Sequence, residues 1–243
     1  MYYRKEMIAT HNESDSGKRL KVSGMLRCMQ QTSNEQLGEM GQSNEGLGSH
    51  NMVFMLAKTN VKIHRAPTSG ERISVGTSAP GPKGVKFLRE FVIDTPGGER
   101  LVSCLTIWVL VDTQNHKILR PNVYPYAYIW DEPTLEGVVD DIVIPRQTPP
   151  GAQVLTSRRE IYYSHIDINN HVNNSMYADF ACDALPYDLL ASRGISQMAI
   201  NFQKEARHSD VIDICTVRLG DGEYKITGTN AGAPCFEAYA ALG

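Results

Sequence analysis

No stretch of the 243 residues approaches the ~18 consecutive apolar residues of a membrane-spanning helix. The longest strongly apolar run, Leu101 to Val111, is already interrupted by Ser103 and Thr106. The start, Met1 to Ile8, carries charge with no apolar stretch behind it, so no secretory signal is visible. Cysteine is sparse. Cys28, Cys104, Cys182, Cys215 and Cys235 are odd in number and widely spaced, with no CxxC and no Cys/His zinc spacing. They read as reduced, buried thiols, which suits a cytoplasmic location, and the Asn-x-Ser patterns at Asn12 and Asn173 read as chance. There is no GxSxG nucleophile elbow. Gly41-x-x-x-x-Gly46-Leu47 lacks the Lys-Ser/Thr pair that makes a phosphate loop. No basic helix or aromatic stacking motif points to nucleic acid.

What is present is ordinary globular composition, 42% hydrophobic and 21% charged, which excludes collagen-like and disordered chains. The length suffices for one large core or two modest ones, and a soluble protein is expected. The net charge of −3 hides an asymmetry: residues 1–130 hold 16 Lys+Arg against 11 Asp+Glu, and residues 131–243 hold 8 against 16. This is either chance variation between solvated faces or a basic surface offered to an acidic partner.

Hydrophobic periodicity divides the chain into two similar runs of elements. A short extended segment and a polar turn at Ser14–Gly17 precede a helical pattern. Ser23 is its expected cap, and Leu26, Met29, Ser33, Leu37 and Met40 form its stripe before Gly41. Period two follows in Val61/Ile63, Ile73/Val75 and Phe87/Arg89/Phe91/Ile93, and 101–111 is apolar on both faces, as in a central strand. A proline-rich, acidic stretch from about 121 to 151 reads as a surface linker. The order then repeats: a strand at 153–166, a helix from Asn173 or Asn174 with Met176, Tyr177, Phe180, Ala181 and Ala184 on one face, a stop at Pro186, and strands at 197–205, 211–219, 223–229 and 234–240. The segment from Val61 to Val75 also lies over Ile200 to Ile214 at a constant offset of 139, each reading as a strand, a tight polar turn and a strand, in the manner of a hairpin. An internal duplication is inferred, each half an α+β unit in which an antiparallel sheet wraps a long helix.

The densest polar cluster is Asp167-Ile168-Asn169-Asn170-His171-Val172-Asn173-Asn174, between a strand and the second helix. A helix start offers unpaired N–H groups and a positive dipole end to a carbonyl oxygen gaining charge. If 167–171 is extended, alternation places Asp167, Asn169 and His171 on one face. His171 is the side-chain type that titrates nearest neutrality. The same letters also suit a cap-rich loop. His165, Asp167 and His171 are a possible metal trio, although no fourth ligand is signposted.

This cluster, followed by Tyr177, resembles the signature of the fatty acyl-ACP thioesterases. Phe202-Gln203-Lys204-Glu205-Ala206 resembles the family's Glu-Cys signature, with Glu205 in the carboxylate position and Ala206 in place of the cysteine. Arg89-x-Phe91 and Ser103-x-x-x-x-Trp108-Val109-x-x-Asp112 extend the likeness to the first half, while Met52 to Lys58 lacks the family's usual tryptophans. The resemblance implies two tandem hotdog domains: 1–125, basic and holding the acyl chain; a linker, 126–150; and 151–243, bearing the catalytic residues. It implies hydrolysis of fatty acyl-acyl carrier protein in fatty acid biosynthesis, with no cofactor and no metal.

Since position 206 offers no thiol, water is the implied nucleophile. Glu205 is the first choice of general base and His171 the second, or its partner on the same water. Asp167 would orient His171 or the water, and Asn169 would bind the acyl carbonyl or fix Glu205. Asn173, Asn174, Met25, Met29 and Leu37 are candidate substrate contacts, and Lys83, Lys86 and Arg89 candidate contacts to acyl carrier protein. The chain would be a monomeric pseudo-dimer or a homodimer. An acyl-CoA thioesterase of the same fold and a non-catalytic acyl-thioester sensor are the alternatives.

Overall fold

The computed structural model describes residues 3–42, 44–126 and 132–243. Asp131 and the rest of 127–131, inside the expected linker, lie outside the described residues. The runs of period two become strands: β1 (Tyr3–Ile8), β2 (Met52–Ile63), β3 (Arg72–Ser78), β4 (Lys86–Asp94) and β5 (Arg100–Asp112) in the first half. In the second half they are β6 (Val154–Glu160), β7 (Ile195–Phe202), β8 (Val211–Gly220), β9 (Glu223–Asn230) and β10 (Ala233–Leu242). They form one antiparallel sheet in the order β1-β3-β4-β5-β2-β7-β10-β9-β8-β6. Read inward from either edge, the two halves run in the same order and meet at β2 and β7. Each half therefore covers the open edge that the other would expose.

The register agrees with the repeat in the letters. Asn60 of β2 pairs with Ala199 of β7, and these positions differ by the offset of 139, so a pseudo-twofold axis passes between them. The two expected hairpins do not form. β2 is separated from β3 by β5 and β4, and β7 from β8 by β10 and β9. The polar turns instead carry the chain across the sheet. Both need a left-handed residue at the same place, Gly70 (φ +87°) and Ser209 (φ +70°). Glycine takes that conformation without steric cost, serine does not.

The helix α1 (Val22–Glu39) spans the expected five turns, but its N-cap is Lys21, and Ser23 lies inside it. Its buried face is Val22, Met25, Met29, Thr32, Ser33 and Gln36, whereas Leu26 and Leu37 are half-buried. A stripe chosen by hydrophobicity is rotated from the true one because buried Thr32 and Gln36 satisfy their polar atoms, Thr32 within the helix on Cys28 O and Gln36 across to Arg89 on β4. A short α2 (Asn44–Gly48) follows. In the second half α3 (Met176–Asp183) begins after Ser175 and buries Tyr177, Ala178, Phe180 and Ala181. α3 ends before Pro186, as expected, and Pro186 then caps a further helix, α4 (Tyr187–Arg193), that the periodicity does not reveal.

One core joins the halves, with Met25, Met29, Phe91 and Ile93 packed in the same cluster as Phe180, Ile200, Ile226 and Phe236. β4 is buried on both faces because the linker crosses its outer side. Ser78 Oγ donates to Pro133 O (2.6 Å) and Leu135 N to Glu90 Oε2 (2.7 Å). At the pseudo-axis Asn60, fully buried, accepts from Ile142 N (3.0 Å) and donates to Leu105 O (3.2 Å). Asn60→Ala leaves both backbone groups without their partner, at about 1–3 kcal/mol each. Urea denaturation should show a loss of about 2–4 kcal/mol, with faster proteolysis between 132 and 145.

Candidate active site

The expected polar cluster is not extended. Asp167 to His171 form a tight turn, closed by Asp167 N on His171 O (2.9 Å) and Asn170 N on Asp167 O (3.0 Å). Asn170 takes φ +64°, which its short amide tolerates better than most side chains. The turn, not strand alternation, brings the side chains together. Asp167 Oδ1 accepts from Asn169 N (2.8 Å) and lies 3.8 Å from His171 Nδ1. Asn169 Nδ2 is 3.5 Å from Asp167 Oδ2, a long contact that leaves the amide loosely held.

His171 Nδ1 is 3.3 Å from Val172 O. A carbonyl oxygen can only accept, so this bond places the proton on Nδ1, and Asp167 beside it favours the same tautomer. In the neutral ring Nε2 then carries the lone pair. Asp167 and His171 are mostly shielded, at 13% and 25% side-chain exposure, while Asn169 and Glu205 lie open to solvent.

The crossing after β7 supplies Glu205. Val172 N donates to Ala206 O (2.8 Å), which sets the residue after His171 directly against the residue after Glu205. A second, buried relay fixes the same turn: Ala206 N donates to Tyr177 Oη (3.3 Å), Tyr177 Oη meets Cys235 Sγ (3.7 Å), and Cys235 Sγ donates to Lys204 O (3.1 Å). Both backbone groups flanking Glu205 are thus tied to the helix and to β10. Burial pushes the Tyr177 hydroxyl well above its ordinary pKa, so it stays protonated and able to take part in this chain. The Glu205 carboxylate itself pairs with Arg207 rather than with His171. Arg207 is 68% exposed, and surface pairs of this kind are worth about 0–1 kcal/mol, so the pair does not lock the carboxylate.

The helix start is less free than expected. Asn173 Oδ1 accepts from Ser175 N (2.9 Å) and Ser175 Oγ (2.8 Å), a capping role. Met176 N and Ala178 N are bonded to Asn173 O and Ser175 O. These N–H groups are therefore occupied. Asn174 is half-buried beside them. Arg27, which sequence reasoning did not single out, reaches from α1 to Ser175 Oγ (3.1 Å) and also pairs with Glu13. A cation on a helix otherwise read for its apolar face was the available signal. His165 is turned away from the cluster, accepting from Tyr162 N and packing edge-on against Phe180 at 5.3 Å. Among the described residues no group of three or more His, Cys, Asp or Glu is placed to hold a metal.

Met25 and Met29 are fully buried in the joint core, and Leu37 packs against a separate cluster around Phe87 and Tyr124. Arg89 is not a surface contact. It is 7% exposed and donates inward to Gln36 Oε1 (2.6 Å) and Thr77 Oγ1 (3.2 Å). It lies on the inner face of β4, in line with Phe87 and Phe91, and burial lowers its pKa to about 10. Lys83 and Lys86 are exposed as expected. Cys235, bonded to the backbone of Lys204, is buried and its thiol pushed up by that burial, and Cys182 is pushed up to about 12 in the same way.

Residues 1–123 match the family model described as acyl-ACP thioesterase N-terminal domain, and residues 151–233 match the C-terminal domain. The palmitoyl-acyl carrier protein thioesterase of Cuphea hookeriana is 21% identical over 231 residues, covering 89% of this chain and 54% of its own length. The dodecanoyl-[acyl-carrier-protein] hydrolase of Umbellularia californica is 21% identical over 244 residues, covering 92% and 61%. The chain thus spans little more than half the length of these curated relatives. Two solved structures share the fold over the whole of this chain: an acyl-ACP thioesterase from Bacteroides thetaiotaomicron (TM-score 0.83, 18% identity, 98% of that chain covered) and the 12:0-ACP thioesterase from Umbellularia californica (0.84, 17%, 97%).

Two outcomes follow from the geometry. Tyr177→Phe removes the link between the 204–206 turn and α3, and thermal or urea unfolding should register a loss of about 1–3 kcal/mol. Iodoacetamide at neutral pH, applied to the folded protein, should leave Cys104, Cys182 and Cys235 unmodified in peptide maps, because protonated, buried thiols react poorly.

Proposed function

The chain belongs to the acyl-ACP thioesterase family, and on that premise we propose that it hydrolyses the thioester between a fatty acyl group and acyl carrier protein, with water as the nucleophile. What supports this reading is that the Val172–Ala206 bond ties the turn bearing His171 to the crossing bearing Glu205, with Nε2 of His171 left as an acceptor and the Glu205 carboxylate open to solvent.

In this mechanism Glu205 takes a proton from water as its oxygen attacks the acyl carbon. His171 holds the same water through Nε2, and Asp167 keeps that tautomer in place. The loosely held amide of Asn169 turns to the carbonyl oxygen and supports its developing charge, since the N–H groups of Ser175, Met176 and Ala178 are already bonded. The C–S bond then breaks with its electron pair on sulfur, and the proton held by Glu205 or His171 passes to the thiolate. A thiol of pKa about 8.5 needs no strong general acid. The products are a free fatty acid and the carrier with its thiol restored.

The division of labour proposed from the sequence fits this scheme. Residues 1–125 hold the acyl chain, with Met29 and Leu37 as lining, 126–150 link the halves, and 151–243 carry the chemistry, with Asn173 and Asn174 at the substrate's edge; Met25 instead lines a cavity that none of Asp167, Asn169, His171 or Glu205 borders. Exposed Lys83 and Lys86 suit an acidic carrier, and a cytoplasmic place in fatty acid biosynthesis suits a chain in which no described helix is long and apolar enough to cross a membrane.

Glu205→Ala and His171→Ala should each lower turnover on acyl-ACP by at least ~10²-fold, with circular dichroism unchanged. The assay is release of fatty acid from a panel of acyl-ACPs of short to long chains, run beside matched acyl-CoAs. Turnover preserved in either variant removes that residue from its role. A preference for the CoA series reassigns the substrate, and binding without release over the whole panel makes the chain a sensor.

A further inference from the structure

The turn that carries His171 has a copy in the first half. Ser14 bridges Leu20 as Ile166 bridges Val172. Asp15 N donates to Arg19 O (2.8 Å) and Lys18 N to Asp15 O (3.0 Å), matching the bonds of Asp167 and Asn170. Lys18 (φ +62°) repeats the left-handed conformation of Asn170, and Leu20 N on Pro67 O repeats Val172 N on Ala206 O, both 2.8 Å. In this copy Gly17 stands where the second half has Asn169, Arg19 where it has His171, and Ala66 where it has Glu205.

Beside the copy, between α1 and the α3–α4 segment, lies a cavity of about 760 Å³, a size that suits a small organic ligand (about 300–1,000 Å³). None of Asp167, Asn169, His171 or Glu205 lines it. Its wall includes Leu20, Met25, Ile63, Phe180, Leu185 and Ile195. The acids on the lining are answered already: Asp15 pairs with Arg19, Asp183 with Arg159, and Asp179 lies 4.0 Å from Arg27. Arg19 is further clamped by donating to the carbonyls of Leu190 and Ala191. Two lining cations retain unmet capacity. The Nε of Arg159 is buried without a hydrogen-bond partner. Lys21 makes no ion pair among the described residues. A buried donor left without an acceptor is a cost that an anion relieves, and the surrounding apolar wall favours a hydrocarbon chain.

We propose that this cavity is a second, non-catalytic site that binds a long-chain carboxylate, with Lys21 and Arg159 on the head group and Leu20, Met25, Ile63 and Phe180 along the chain. With Ala66 and Arg19 in the places of Glu205 and His171, the copy lacks the groups assigned to hydrolysis and is left to bind. The site stands independently of hydrolysis at Glu205, although a fatty carboxylate is also the product of that reaction.

The test is photo-crosslinking of the full chain with a diazirine-bearing hexadecanoate, mapped by mass spectrometry. Adducts within 20–25, 63–66 and 176–195 are expected, displaced by hexadecanoate but not by its methyl ester. Lys21→Ala should weaken hexadecanoate binding by about tenfold, the loss of one charge-assisted contact. Ala66→Trp, which fills the cavity, should remove the adducts. If that variant does not fold, the map of the unmodified chain decides. Adducts confined to 167–174 and 203–206, no adducts at all, or equal displacement by the ester would overturn the proposal. Loss of acyl-ACP hydrolysis with the adducts in place would count against the catalytic reading alone.

Discussion

The antiparallel pairing of β2 with β7, centred on Asn60 and Ala199, is the contact on which the other features depend. A five-stranded sheet with a helix on one face leaves an edge of unpaired N–H and C=O groups and an incompletely covered helix. Joining the two halves edge to edge removes one edge from each and brings α1 and α3 together over a common core. The same operation sets a copy of the turn in each half, and the first-half copy borders the cavity between α1 and the α3–α4 segment. Asn60 makes the join polar as well as apolar, since its amide holds both β5 and the linker. A hydrophobic residue there could bury as much area but would leave two backbone groups unanswered.

Around the second-half turn the scaffold is buried and the side chains proposed for the chemistry are exposed or half-exposed. Ala206, Val172, Tyr177 and Cys235 are nearly inaccessible, and their hydrogen bonds fix where the chain passes. Glu205 and Asn169 stand on that rigid base with their side chains in solvent. Such a division suits a water nucleophile. A thiol nucleophile must first be ionised. The thiols of this chain are protonated and enclosed where burial acts on them, in keeping with the absence of a cysteine at 206.

Much of this was legible in the letters because it rests on periodicity. The strands from β2 to β5 and from β7 to β10 follow from alternation and turn residues, and the offset of 139 gives which residues of the two halves correspond, while the β2–β7 register shows which pair lies on the axis. The expected hairpins failed because strand–turn–strand patterns fix local conformation and not which strand lies beside which. The face of α1 was placed correctly at Met29 and Ser33 and misjudged elsewhere, because Thr32 and Gln36 are buried with their polar atoms bonded, which no hydrophobicity pattern records. Arg89 was assigned to the surface for the same reason: alternation alone placed it in line with Phe87 and Phe91, but charge argued outward, and the partners that permit its burial, Gln36 and Thr77, are remote in sequence. The first-half copy of the turn was invisible because backbone geometry, not residue type, is what repeats.

That copy also separates what the turn needs from what the reaction needs. Aspartate opens it in both halves, and in both its side chain accepts a backbone N–H within the turn: Arg19 N on Asp15, and Asn169 N on Asp167. An Asx-type contact of this kind is sufficient reason for the residue wherever the chain must reverse here. Asp167 is therefore explained by the fold before any catalytic task is assigned, and its influence on His171 is a consequence of where the turn places it. Asn169, His171 and Glu205 have no such explanation. Their counterparts Gly17, Arg19 and Ala66 allow the same backbone path, so the path does not require an amide, an imidazole or a carboxylate at those places. These three positions carry the chemical difference between one turn and the other, and the burden of the proposed hydrolysis rests on them.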